Sequence, residues 1–312
     1  MASQHAPSRS ERRAPQAAML PDGRRLHLQD GPIDLIVEAV GEGEAVRRAY
    51  EAAVARFTGL LDALCAELAA LRAPAGAHGP AFVHPVARRM GQAVAPFAAD
   101  VFITPMAAVA GAVAEDILSA LVLPGISRAY VNNGGDIALH LPRGARFAVG
   151  LVDQPERPRL IGAAEIDADG PVRGVATSGW RGRSFSLGVA DAVTILAPSA
   201  AVADAAASVV ANAVDLPWHT GVVRVPACEL LPESDLGTLP VTRYVPELTA
   251  AERAEALDAG LAVARDLAAR GLICAAALHV QGETVSTGDG LLPLLSPMAA
   301  RPSQPQEECA HA

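Results

Sequence analysis

A carboxylate and a hydroxyl four residues apart form one of the most informative chemical patterns in the chain. Asp204 and Ser208 stand in the alanine-rich segment 203–208. Residues four apart share one face of a helix, and such a pair can coordinate Mg²⁺, which binds few protein oxygens and completes its shell with water and phosphate. The spacing predicts Asp204 and Ser208 as metal ligands and catalytic residues. The alternative is that Asp204 caps a helix that begins near residue 199 or 203.

A glycine turn between two strand-like segments forms a second candidate. It consists of Asn133, Gly134, Gly135 and Asp136. Two glycines leave backbone N–H groups accessible to a phosphate or a heterocycle, and Asp136 could hold the turn or a ribose hydroxyl. A plain hairpin turn explains the same residues, because Asn-Gly and Gly-Gly adopt positive φ at little cost.

A third candidate combines hydroxyls, a glycine and arginines within ten residues at the end of a predicted strand. Its members are Thr177, Ser178, Gly179, Arg181, Arg183 and Ser184. Guanidinium groups bind phosphate oxygens in pairs, so this segment could bind a diphosphate. An exposed loop rich in Gly, Ser and Arg is the alternative.

Composition excludes several classes of protein. The net charge is −9 and the arginines form no basic stripe, which argues against a nucleic-acid partner. All 25 basic residues are arginines, so a Schiff-base lysine and a P-loop lysine are absent. The four cysteines form no C-x-x-C pair. The N-terminus lacks an apolar signal region and the uncharged run 101–114 is too short to cross a bilayer, so a cytoplasmic protein without a membrane partner is expected.

The order of hydrophobic patterns predicts an α+β fold. Polar segments 1–20 and 291–312 are expected to be disordered tails around one domain at 21–290. Two rounds of helices and antiparallel strands indicate a pseudo-duplicated architecture. The predicted elements are an opening hairpin at 25–39, helices at 44–71, 85–95, 105–123, 200–213 and 250–269, strands at 128–131, 136–140, 146–152, 160–166, 174–177 and 192–196, and a closing hairpin at 274–285.

The helix that begins at Thr104 and Pro105 is built for two turns almost entirely from Ala, Val and Gly. Thr104 is a favourable N-cap and Pro105 suits the first helical position. Small side chains let another backbone or a flat ligand approach closely. Tight packing between helix and sheet explains the same composition.

Taken together, these segments resemble the UPF0280 family of the ApbE superfamily, whose better-known members are flavin transferases. The match is close over 106–115, 132–137, 176–179, 182–193 and 200–213. The resemblance implies a T-fold-like α+β architecture, FAD as donor, Mg²⁺ as metal, and transfer of FMN as a phosphoester to a Ser or Thr of an acceptor protein.

The resemblance also assigns roles to residues. The flavin transferases hold their metal with an A-D-A-x-x-T segment, which 203–208 matches with Ser208 in place of Thr. Their G-G-D and T-S-G motifs match 134–136 and 177–179. The matching helical segment adds Met106, Gly111 and Glu115 to the implied flavin contacts.

Three positions depart from the flavin transferases. Ala110 stands where they carry a lysine, Glu115 where they carry an aspartate, and 183–191 where they carry H-x-x-D-P. Arg181 or Arg183 would replace the lysine in binding phosphate.

The leading hypothesis from the sequence is an Mg²⁺-dependent, FMN-transferase-like enzyme acting on FAD. A non-catalytic accessory protein that binds a flavin or another nucleotide is the second hypothesis, and an FAD pyrophosphatase that releases FMN and AMP is the third. The expected partners are a flavin nucleotide or a similar heterocycle, an acceptor protein, and further copies of the chain in a homo-oligomer.

Overall fold

The computed structural model describes residues 14–76, 81–153 and 159–293. Its strands are β1 (Gln16–Met19), β2 (Leu26–Asp30), β3 (Ile33–Gly41), β4 (Ile126–Asn133), β5 (Asp136–His140), β6 (Arg146–Val152), β7 (Leu160–Asp167), β8 (Gly174–Ser178), β9 (Ala192–Ala197), β10 (Val223–Pro226), β11 (Pro240–Tyr244), β12 (Ala275–Val280), β13 (Glu283–Gly288) and β14 (Leu291–Pro293). Its helices are α1 (Gly43–Phe57), α2 (Leu60–Ala66), α3 (Leu68–Leu71), α4 (Pro85–Val94), α5 (Val109–Leu121), α6 (Ala200–Ala213), α7 (Ala227–Leu230) and α8 (Ala250–Ala269), with 3₁₀ turns at Ala95–Phe97 and Pro105–Ala108.

An antiparallel sheet of nine strands forms the centre of the described structure. Its strand order is β1-β2-β3-β4-β5-β8-β9-β12-β13. Strand β9 is buried along its whole length, because its alternate side chains enter two hydrophobic cores. Val193 and Ile195 enter the larger core, which the helices cover, and Leu196 enters the smaller one. The predicted α+β fold, with antiparallel sheets packed against helices, is confirmed, whereas the T-fold likeness and the pseudo-duplication stay predictions.

A second sheet, of order β14-β7-β6, packs on the other face of the large sheet around the smaller core. Although β6 follows β5 in the chain, the neighbour of β5 in the large sheet is β8. Strands β6 and β7 pair with each other outside that sheet. A separate two-stranded ribbon consists of β10 and β11.

Three boundaries differ from the sequence prediction. The helix expected at 44–71 is divided into α1, α2 and α3, because Gly59 adopts a left-handed conformation with φ of 82° between the first two. Residues 16–19, predicted to belong to a disordered tail, pair with β2. Residues 291–293 pair with β7. The remaining tail predictions, for 1–13 and 294–312, lie outside the described residues.

Helix caps place the two helices that carry the small-residue segments. The Thr104 hydroxyl accepts a hydrogen bond from the Met106 N–H at 3.2 Å at the start of the 3₁₀ turn that precedes α5. The Ser199 hydroxyl accepts from the Val202 N–H at 3.2 Å and caps α6. In the part of the chain that the structure describes, no helix has both the length and the apolarity needed to cross a bilayer.

Candidate functional site

A cavity of about 840 Å³ lies among α2, α3, α5, α6, β6, the β4–β5 turn and the segment after β8. Its volume is in the range of small-molecule sites. The sequence-predicted residues that line it are Met106, Asn133, Gly134, Gly135, Asp136, Thr177, Ser178, Gly179, Arg183, Ser184, Asp204 and Ser208. The fold thus brings together four segments that are far apart in the sequence.

Asp136 and Asp204 form an acid pair in this cavity. Asp204 Oδ2 accepts a hydrogen bond from the Gly111 N–H at 3.0 Å, and Asp136 Oδ1 accepts one from the Thr177 N–H at 3.2 Å. Burial raises the pKa of Asp136 to about 7. Burial, and then the charge of Asp136, raise the pKa of Asp204 well above its ordinary value. Two neighbouring carboxylates in a desolvated site favour a proton or a cation between them.

Asp204 is free for such a role because Ser199 caps α6 in its place. Asp204 lies one turn into the helix, and Ser208 lies one turn further along it and also lines the cavity. Gly111 allows α5 to approach this point, since a Cβ on Gly111 would lie 2.2 Å from the Ala200 carbonyl oxygen. The small-residue composition therefore reflects a close crossing of α5 and α6.

The glycine turn is both a hairpin turn and part of the cavity lining. Asn133 pairs with Asp136 across the hairpin, and Gly134 and Gly135 have φ of 68° and 118°. The Asn132 side-chain oxygen accepts the Gly135 N–H at 2.8 Å. The turn directs Asp136 into the cavity lining, so the two interpretations of the sequence are compatible.

Arg181 and Arg183 differ in what they contact. The Arg181 Nε donates to Asp191 Oδ1 at 2.6 Å, and its guanidinium stacks on Trp180 with 4.4 Å from Cζ to the ring centroid. Arg183 lines the cavity beside Gly134, and its Nη1 would lie 3.2 Å from a Cβ added to that glycine. Among the described residues, the Arg183 guanidinium has no hydrogen-bond or ion-pair partner. Arg183 is therefore the arginine available to an anion.

Three sequence-predicted residues do not line the cavity: Gly111, Glu115 and Arg181. Gly111 acts there through its N–H, which donates to Asp204. Glu115 faces away, toward Arg89 and the first turn of α6. Arg181 holds the segment after β8 to Asp191.

Sequence reasoning missed the apolar part of the lining. Its main members are Ile33, Leu61, Leu64, Leu68, Leu71 and Val109. Cys65 and Met106 also line the cavity. In the sequence, these leucines have the periodicity of a helix that covers a sheet, so nothing distinguished them from core residues. Two further carboxylates in the lining, Asp153 and Asp191, are each paired with an arginine.

The donor chemistry of the acid pair suits Mg²⁺. Two carboxylates and the Ser208 hydroxyl are hard oxygen ligands, and Mg²⁺ is commonly held by one or two carboxylates together with phosphate and water. Over residues 14–76, 81–153 and 159–293, no group of three or more His, Cys, Asp or Glu side chains could hold a metal. The protein would thus supply part of the coordination shell, and a ligand would supply the rest.

Several curated proteins with sequences similar to this chain carry the name UPF0280 protein. A UPF0280 protein of Methanothrix thermoacetophila is 37% identical over 131 residues, which are 42% of this chain and 52% of that protein. Those of Methanopyrus kandleri and Methanosphaerula palustris are 39% and 38% identical, over 48% and 54% of their lengths. These matches thus span about half the length of the curated relatives.

One solved structure, the apo form of the flavinyl transferase ApbE of Pseudomonas stutzeri, aligns with a TM-score of 0.43 and 14% identity over 88% of this chain and 94% of that one. A likeness of this size carries no argument about the site. A family model described as AbpE bacteria matches residues 17–286. The match covers most of the chain, and the protein belongs to this family, with UPF0280 proteins among its relatives.

Proposed function

We propose that this protein binds FAD together with Mg²⁺ in the cavity and transfers FMN to a hydroxyl of an acceptor protein, releasing AMP. The observation that carries the proposal is the acid pair Asp136 and Asp204 in a cavity that Arg183, without a partner among the described residues, also lines. A site with two half-buried carboxylates and a guanidinium that faces the same cavity suits a metal-bound diphosphate better than a neutral ligand.

The polar part of the lining fits the diphosphate of a dinucleotide. Asp136, Asp204 and Ser208 would hold Mg²⁺, which would neutralise charge on the phosphates and on the departing AMP. Arg183 would pair with phosphate oxygens that the metal does not take. Thr177 and Ser178 add hydroxyls to the same part of the lining.

The apolar part of the lining fits a flat ring system. Leu61, Leu64, Leu68 and Leu71 present aliphatic side chains, and Met106 adds an adaptable thioether. A ring that enters this part would lose contact with water while its phosphates stayed among polar groups. The motif resemblance to flavin transferases supports a flavin in this position.

In the proposed reaction, a hydroxyl of the acceptor protein attacks the FAD diphosphate in place of water. The hydroxyl oxygen of the acceptor attacks the phosphorus on the FMN side of the FAD diphosphate. A new P–O bond forms, the P–O bond to AMP breaks, and the hydroxyl proton passes to the phosphate of the departing AMP. Arg183 would stabilise the negative charge on the phosphorus oxygens during this step.

A second candidate is a flavin-binding protein without turnover. The observation that favours it is the composition of the lining, where no histidine is found among the described residues. Ala110, at the position of the lysine of flavin transferases, also lines the cavity. Both absences remove groups that would assist proton transfer or phosphate binding.

Calorimetric titration with FAD, FMN and ADP, each with Mg²⁺ or with EDTA, tests ligand binding. We expect FAD and ADP to bind better with Mg²⁺, since both carry a diphosphate, and FMN to depend on it less. Absence of FAD binding under every condition would reject the proposed function.

Product analysis then separates the activities. Incubation with FAD, Mg²⁺ and a Ser- or Thr-containing acceptor should release AMP and leave FMN covalently on protein. Equal amounts of free FMN and AMP would identify the pyrophosphatase, and binding without products over long incubation would identify the accessory protein.

A further inference from the structure

A cluster of charged side chains outside the cavity lining joins the three helices α1, α4 and α5. The Arg89 Nε on α4 lies 3.0 Å from Glu115 Oε2 on α5. Asp116 Oδ1 lies 3.3 Å from the Arg56 Nη1 on α1 and 3.7 Å from the Arg89 Nη1. None of the four lines the cavity. The cluster therefore has no direct part in the proposed ligand binding.

Glu115 connects this cluster to the helix that carries Asp204. While its Oε2 faces Arg89, its Oε1 accepts the backbone N–H of Ala201 at 3.0 Å. The first-turn N–H groups of a helix have no partner within the helix and need one from outside. The Ser199 hydroxyl accepts the N–H of Val202, and the Glu115 carboxylate accepts the N–H of Ala201 from a different helix. A carboxylate at this end also interacts favourably with the helix dipole.

The same two helices meet again one turn earlier on α5. The Gly111 N–H donates to Asp204, and a Cβ on Gly111 would lie 2.2 Å from the Ala200 carbonyl oxygen. Glu115 stands four residues after Gly111, so both project from α5 toward the start of α6. The two contacts fix how α6 sits along α5. A small shift at the Glu115 contact would lengthen the hydrogen bond from Gly111 to Asp204.

We infer that Glu115, anchored by Arg89, is a positioning residue that holds Asp204 in its place through the first turn of α6. It touches neither ligand nor metal. The inference rests on the proposed function only for the statement that Asp204 binds a metal, because the positioning of Asp204 is a property of the ligand-free fold.

Arg56 provides a matched control within the same cluster. Like Arg89 it pairs with buried Asp116, whose Oδ2 has no hydrogen-bond partner among the described residues. Arg56 does not contact Glu115 or α6 in any hydrogen bond or ion pair of the described residues. Arg56→Gln therefore weakens the cluster and leaves the link to α6 intact.

Amide hydrogen exchange at Gly111 and Ala201, followed by NMR in the ligand-free protein, tests the positioning directly. Glu115→Ala and Arg89→Gln should raise exchange at both amides about tenfold or more, since an opened hydrogen bond exposes its N–H. Glu115→Gln keeps an acceptor for Ala201 and should give an intermediate rate. Arg56→Gln should leave both amides close to the wild-type rate, even where the melting temperature falls.

Two results would overturn the inference: unchanged exchange at Gly111 in folded Glu115→Ala and Glu115→Gln, or an equal rise in Arg56→Gln. A second readout is the Mg²⁺ concentration that gives half-maximal FAD binding, which we expect to rise in Glu115→Ala and not in Arg56→Gln. If the wild-type protein fails to bind FAD, the proposed function is rejected while the exchange data still decide the positioning role.

Discussion

The polar and apolar parts of the cavity differ in the kind of side chain that the ligand-free protein leaves incompletely covered. The acid pair keeps two half-buried carboxylates close together, at a cost that the raised pKa values express. Leu61 on α2 and Leu68 on α3 are also only half-buried in the cavity lining, but no charge is involved. We therefore expect the polar part of the cavity to select a ligand by charge and the apolar part to select it by shape. Each can be altered without the other.

The largest effect is expected from Asp204→Asn. Replacing the carboxylate by an amide keeps an acceptor for the Gly111 N–H and removes the charge that would bind the metal. We predict that FAD affinity in Mg²⁺ falls about 100-fold, because a charged ligand of the metal is lost, and that EDTA no longer changes it. Calorimetry measures both.

Asp153→Asn is the matched control for that variant. Asp153 is another carboxylate of the lining, but Arg159 already pairs with it at 3.0 Å. Its replacement should leave the effect of Mg²⁺ on FAD binding intact. Equal losses in the two variants would show that any carboxylate of the lining has the same effect, which contradicts a specific role for the acid pair.

Arg183→Gln is expected to lower FAD affinity about tenfold, the loss of a charged hydrogen bond to phosphate. The dependence of binding on salt should weaken as well, because one charge contact is removed. Arg143→Gln removes the same charge from an exposed position outside the cavity lining. Titrations at two salt concentrations compare the variants. An equal effect of Arg143→Gln would mean that Arg183 acts only through the net charge of the protein.

Asp136→Asn should stabilise the ligand-free protein at alkaline pH. The folded-state pKa of Asp136, about 7, lies above the ordinary value of 3.8, so the folded protein holds this proton more tightly than the unfolded chain. The associated stability is fully present below pH 3.8 and is lost as the pH rises through about 7. At pH 8 in EDTA, we expect a gain of about 1 kcal/mol, or ~2–4 °C in melting temperature.

Thermal unfolding across this pH range checks the sign of the prediction. The difference between Asp136→Asn and the wild type should shrink as the pH is lowered toward 4. A variant that is less stable than the wild type at pH 8 would mean that the acid pair is not a source of strain in the ligand-free protein.

The smallest effect is expected in the apolar part. Leu68→Phe adds volume at a half-buried position of the lining and should lower FAD affinity about fivefold through overpacking. ADP, which lacks the flavin ring, should bind as it does to the wild type. A parallel loss of ADP binding would mean that the two parts of the cavity are not independent.

More of the polar part of the cavity lining than of its apolar part was predicted from the sequence, because the polar residue types are distinctive. Glycine pairs, an acidic residue at a turn, and an acid and a hydroxyl four apart are uncommon in a plain core, and the structure brings these segments to one cavity. Leucines at helical spacing indicate a buried face whether they cover a sheet or a ligand. Nothing in the sequence predicted the left-handed conformation of Gly59, at which the helix that carries these leucines is divided.

Other features required the three-dimensional structure. Arg181 and Arg183 could not be distinguished in the sequence, because the carboxylate that pairs with Arg181 lies ten residues further along the chain. The sequence also allowed Asp204 as the cap of α6, whereas in the structure Ser199 caps this helix. The direction of Glu115 depends on Arg89 and Ala201, which belong to two other helices.

Binding of Mn²⁺ in place of Mg²⁺, followed by the EPR signal of the free ion, tests the central claim that Asp136 and Asp204 share one divalent cation with a diphosphate ligand. With FAD or ADP present, the wild type and Asp153→Asn should each bind a single Mn²⁺ tightly, and Asp136→Asn and Asp204→Asn should each lose it, because both carboxylates belong to the coordination shell. Undiminished Mn²⁺ binding in both acid-pair variants would contradict the account.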